Sequence, residues 1–72
     1  MSIHQKLKNI REDADKSQEE IAKIIGTSQS YYAQYENGKR SIPFDRVVIL
    51  AKYYNLSLDY LAGLIDTPRK LK

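Results

Sequence analysis

The chain has 72 residues, with 12 Lys or Arg against 9 Asp or Glu, 42% hydrophobic residues and no cysteine. At about 100–200 residues per domain this is one domain, and its small core leaves a thin stability margin. Disulfides are excluded, and with His4 as the single histidine a zinc staple is all but excluded. Stability must come from packed helices, helped by oligomerisation. No apolar run approaches the ~18 residues of a membrane span, and polar residues rather than a leader core follow Met1. A cytoplasmic protein with no membrane partner is expected. Catalysis finds no footing: the glycines at 26, 38 and 63 stand alone, and His4 has no Ser or Asp partner and reads as a surface residue. Glu12, Asp13 and Asp15 lack calcium-loop spacing and read as a solvated helix end. No enzyme and no cofactor are expected.

Apolar residues recur at three and four rather than two, which predicts an all-α chain of five helices. Ser2 with Gln5 forms a capping pair for a first helix over about 2–13, whose inner face holds Ile3, Leu7, Ile10 and Ala14. Ser17 with Glu20 opens a second helix, with Ile21, Ile24 and Ile25 inward, and Gly26 ends it. Ser28 caps a third helix over roughly 29–36, which Asn37-Gly38 closes. Pro43 suits the first turn of a fourth helix, with Phe44, Val47, Val48, Ala51 and Tyr54 on its core stripe. Asn55 ends that helix, and Ser57 caps a fifth that turns Leu58, Leu61 and Leu64 to the core. Residues 1–66 read as one domain and 67–72, beyond the Pro68 stop, as a basic tail.

Residues 17–38 are the informative stretch. Two short helices joined by Gly26-Thr27-Ser28, with small Ala22 at the crossing, form a helix-turn-helix pattern. A plain helical hairpin has the same spacing, so the third helix must discriminate. At about 100° per residue, Gln29, Ser30, Ala33 and Gln34 share one face, and Tyr31, Tyr32 and Tyr35 the opposite, inward one. The first face carries no charge, whereas the second helix exposes Glu19 and Lys23. Glutamine pairs with adenine N6 and N7, and serine serves several bases. An amide face beside the basic Lys39-Arg40 loop suits base readout from double-stranded DNA.

Ser17-Gln18-Glu19-Glu20-Ile21-Ala22, Gly26-Thr27-Ser28-Gln29-Ser30-Tyr31, Tyr35-Glu36-Asn37-Gly38-Lys39-Arg40 and Leu56-Ser57-Leu58-Asp59-Tyr60-Leu61 stand in order. Together they resemble the lambda repressor/Cro-type (XRE) family over about residues 3–65. The resemblance implies a five-helix, operator-binding transcriptional regulator. It implies phosphate contacts from Gln18, Tyr31, Asn37, Lys39 and Arg40, base reading by Gln29, Ser30, Ala33 and Gln34, and a buried ion pair between Arg11 and Glu36. The chain departs from the family at Asp15-Lys16, where aspartate tolerates a left-handed turn. It departs again at Tyr32 and Tyr35, whose hydroxyls need partners. Such motifs pair two half-sites, so a homodimer is expected. On the fourth helix Ile49 and Tyr53 fall outward, flanked by Leu50, and with Tyr60, Leu64 and Ile65 they form a candidate dimer patch. An antitoxin-like protein that holds a protein partner and autoregulates its operator is the competing reading.

Overall fold

The computed structural model describes residues 2–61. Five helices follow in order: α1 (Ile3–Asp13), α2 (Gln18–Ile25), α3 (Gln29–Glu36), α4 (Phe44–Tyr54) and α5 (Leu58–Leu61). Leu64, Ile65 and the basic tail lie outside the described residues. No described helix is long and apolar enough to cross a membrane.

Each boundary has a local cause. The hydroxyls of Ser2, Ser17, Ser28 and Ser57 accept the backbone N–H three residues on, at 3.3, 3.1, 3.2 and 3.2 Å, satisfying donors that a helix start leaves unpaired. Pro43 precedes α4 without a side-chain cap. After α1 the chain turns at Asp15 (φ 61°), α2 ends at Gly26 (φ 80°), and α4 ends at Asn55 (φ 57°). The carboxamide and carboxylate side chains tolerate this left-handed geometry better than apolar ones do.

The core has two connected parts. Leu7, Ile21, Ala22, Ile25, Tyr32, Tyr35 and Leu50 pack α1, α2, α3 and α4 together. Ile10, Val47, Ala51 and Leu61 join α1, α4 and α5. Ala22, almost fully buried, lets α2 and α3 cross closely, because a larger side chain there would push them apart. Complete burial of a Leu or Ile side chain contributes about 1.5–3 kcal/mol, and Leu7, Ile21, Leu50 and Leu61 are fully buried, with Ile10 and Ile25 nearly so.

Several expected faces are corrected. Phe44 is 71% exposed and Leu50 fully buried, so the core stripe of α4 is rotated toward Val47, Leu50, Ala51 and Tyr54. Phe44, the first residue of its helix, packs into neither core cluster. Ala14 is the exposed C-cap of α1 rather than part of its inner face. Tyr31 is not inward but exposed on the rim of α3. His4 is no free surface residue: it is half-buried, and its Nδ1 donates to the Tyr35 carbonyl at 2.9 Å. Lys6 is buried by its stem, with its ammonium 4.0 Å from the Tyr60 ring centroid, a cation–π contact.

Candidate nucleic-acid interface

The site is built outward from a buried pair. Arg11 of α1 donates through Nε to Glu36 Oε2 at 2.7 Å and through Nη2 to Oε1 at 3.1 Å. Its Nη1 donates to the Lys16 carbonyl at 2.8 Å, so one guanidinium holds the turn before α2 and the end of α3. Burial pushes the Glu36 carboxyl up, but the hydrogen bonds donated by Arg11 and Gln18 outweigh it and hold it below its ordinary value. The same pairing raises the Arg11 guanidinium despite its desolvation. The buried Tyr32 hydroxyl makes no hydrogen bond of good geometry among the described residues. Its pKa is pushed far up by burial, and then by the Glu36 carboxylate. The Tyr35 hydroxyl accepts from Arg46 Nη1 at 2.8 Å.

A relay leads from that pair to the surface. Gln18 donates from Nε2 to Glu36 Oε1 at 3.1 Å, and Gln29 donates from Nε2 to Gln18 Oε1 at 2.6 Å. A carboxylate accepts only, so it dictates which end of the Gln18 amide faces it. That choice in turn dictates the orientation of Gln29. Gln29 therefore presents Oε1 and its second Nε2 hydrogen outward in a defined order.

The other end of α3 carries a second arrangement. Gln34 Oε1 accepts from Arg40 Nε at 2.8 Å, and the Arg40 guanidinium lies 4.9 Å from the Tyr31 ring centroid. Asn37 accepts from the Lys39 backbone N–H at 3.0 Å, an Asx turn that shapes the loop carrying Lys39 and Arg40. Gly38 sits at φ 82°, and a Cβ there would come 3.4 Å from the His4 ring. His4 thus braces the loop from below while it satisfies the last turn of α3.

Of the residues singled out from sequence, Gln18 meets Gln29, Arg40 meets both Gln34 and Tyr31, Asn37 meets Lys39, and Gln18, Ala33 and Asn37 share one groove, while Ser30 is exposed on α3. Arg11 and Glu36 lie beneath Gln18. Ile49 and Tyr53 are 39% and 42% exposed on α4, while Tyr60 is drawn into the second core cluster and covers Lys6. Sequence reasoning missed α1: Gln5 and Lys8 line a groove with Gln18, Ala33, Glu36 and Asn37. No pattern within α1 could have shown this, because Lys8 looks like any solvated lysine until α1 is docked beside α3.

The chain matches the helix-turn-helix family over residues 7–61. It is 39% identical over 64 residues to the uncharacterized HTH-type transcriptional regulator YobD of Bacillus subtilis, covering 89% of this chain and 57% of that protein. It is 34% identical over 62 residues to the cryptic phage CTXphi transcriptional repressor RstR of Vibrio cholerae, covering 86% and 56%. The chain thus spans just over half the length of these relatives. Among solved structures, a transcriptional regulator from Listeria innocua superimposes with a TM-score of 0.84 at 22% identity, covering 89% of this chain and 60% of that one. The P22 c2 repressor, solved in complex with a synthetic operator, superimposes with a TM-score of 0.76 at 21% identity, covering 85% and 92%. By these matches and by its α2–α3 geometry, the chain belongs to the helix-turn-helix family, of the lambda repressor/Cro (XRE) type.

Proposed function

We propose that this domain binds double-stranded DNA sequence-specifically, inserting α3 into the major groove, and acts as a transcriptional regulator, most simply a repressor. One observation carries the reading: an uncharged face whose leading glutamine is oriented through Gln18 by the buried Arg11–Glu36 pair. Gln29 keeps one acceptor and one donor free, the pair that adenine N6 and N7 require. Ser30, Ala33 and Gln34 complete the reading set. With its Oε1 held by Arg40, Gln34 acts as a donor to a base acceptor. Gln18, Tyr31, Asn37, Lys39 and Arg40 take the backbone role, with Lys8 and Gln5 added from α1. Names of regulators and repressors among the relatives support this.

One recognition helix spans few base pairs, so useful specificity calls for a homodimer on two half-sites about one helical turn apart. Work on chromosomal DNA would place the protein in the cytoplasm. A second reading has one supporting observation: 31% identity over 61 residues to the antitoxin PezA of Streptococcus pneumoniae. That reading adds a protein partner and keeps the DNA face. Selection of bound sites from a random DNA pool tests the proposal. Recovery of a common half-site is expected, and a pool that stays random through repeated rounds would overturn it.

A further inference from the structure

The outward half of α4 is self-complementary. At about 100° per residue, Phe44, Val48, Lys52, Asp45, Ile49 and Tyr53 fill the half-turn opposite the buried Leu50. Phe44, Ile49 and Tyr53 are large apolar side chains left 71%, 39% and 42% exposed. Asp45 lies in the first turn and Lys52 in the last, both exposed. No ion pair between described residues uses either one. The helix dipole favours each charge at its own end.

Reversing the helix about a point between Val48 and Ile49 brings those ends together. Asp45 of each copy comes level with Lys52 of the other, on the same flank, so two equivalent ion pairs form. Val48 and Ile49 of the two copies meet at the centre, and each end is closed by Phe44 from one copy and Tyr53 from the other. A parallel arrangement would instead set Asp45 against Asp45 and Lys52 against Lys52. We infer that α4 is the dimer interface, joined antiparallel to α4 of a second copy in the register that pairs Asp45 with Lys52. The inference rests on the dimeric reading above and specifies its geometry. A single helix pair buries less than the ~800 Å² per partner of a standard interface, so the dimer is weak in free solution and tightens on DNA.

Charge exchange tests the register by sedimentation over a wide concentration range. Asp45→Lys leaves only lysines along the interface, and Lys52→Asp only aspartates. Each variant alone should self-associate on the order of tenfold more weakly than the parent, since both attractive pairs become repulsive. An equimolar mixture of the two should form a heterodimer as tight as the parent dimer, because both pairs are then restored. The double variant Asp45→Lys/Lys52→Asp should self-associate like the parent. A parent that stays monomeric at the highest concentration and on paired half-sites would overturn the dimeric reading along with the interface. A dimeric parent whose single variants associate equally well would overturn the interface alone. So would a mixture that fails to pair while both variants keep helical circular dichroism. Parent affinity for a single half-site reads the DNA proposal independently of every arm.

Discussion

Glu36 ties three helices together, because it is the acceptor on which Arg11 of α1 and Gln18 of α2 converge at the end of α3. Its side chain is 3% exposed and that of Arg11 12%, so removing either partner strands a charge. Arg11→Ala should lower stability by roughly 3–5 kcal/mol, read as a large fall in melting temperature. An unchanged melt with lost DNA affinity would instead make Arg11 a DNA contact. The depressed Glu36 carboxyl has a pH consequence with a definite sign. A folded value below the unfolded ~4.3 contributes stability that is fully present above that pH and is lost as pH falls through the folded value. The melting-temperature gap between the parent and Glu36→Gln should therefore be wide at pH 7 and shrink below about pH 4. A gap that stays constant down to pH 2.5 would contradict the depressed value. At the surface, Gln34→Ala should cost about 1–3 kcal/mol on the selected site and little on random DNA, whereas Lys39→Ala should weaken both.

Between α2 and α3, and again after α3, a glycine turns the chain, and the two turns differ in what surrounds them. Both hold φ near 80°, where an added Cβ costs about 1–2 kcal/mol. At Gly26 a Cβ would meet nothing within 4 Å, so Gly26→Ala should lower the melting temperature and leave the DNA affinity of the folded protein intact. At Gly38 the Cβ would come into van der Waals contact with the His4 ring, which holds the Tyr35 carbonyl, and the backbone strain would fall in the turn that leads directly into Lys39 and Arg40. Gly38→Ala should therefore weaken DNA binding even at temperatures where both variants are fully folded. Equal affinities for the two folded variants would show that the Gly38 turn does not position the loop. Four of the five helix starts were legible in the sequence through Ser2, Ser17, Ser28 and Ser57, whose chemistry acts over three residues, whereas α4 starts behind Pro43 with no side-chain cap.

For the whole molecule, a charge of +3 on 72 residues is modest, and its placement matters more than its size. Lys39 and Arg40 flank one end of α3, while Lys8 of α1 borders the groove beside Gln18 and Asn37. Each phosphate contact contributes a salt slope of about −0.9. Lys8→Ala should reduce the slope of log affinity against log salt by about one without changing site preference. An unchanged slope would remove α1 from the DNA-facing surface.

What the sequence determined by itself was everything that acts locally or repeats: five helices, the serines that cap four of them, the turn at Gly26 and the uncharged face of α3. These follow from hydrogen bonds and side-chain angles within one or two turns, which a linear pattern records. The tertiary structure decided which way a helix rolls and what lies beneath a face. Phe44 and Leu50 are both apolar on α4, and only the position of α4 against α1 and α2 buries one and exposes the other. His4 and Lys8 were anonymous in α1 until that helix lay beside α3. The orientation of Gln29 is likewise a tertiary property, passed from Arg11 through Glu36 and Gln18 across 18 residues of sequence separation between the last two. Residue types are written along the chain, but burial and hydrogen-bond direction are set by neighbours that only folding supplies.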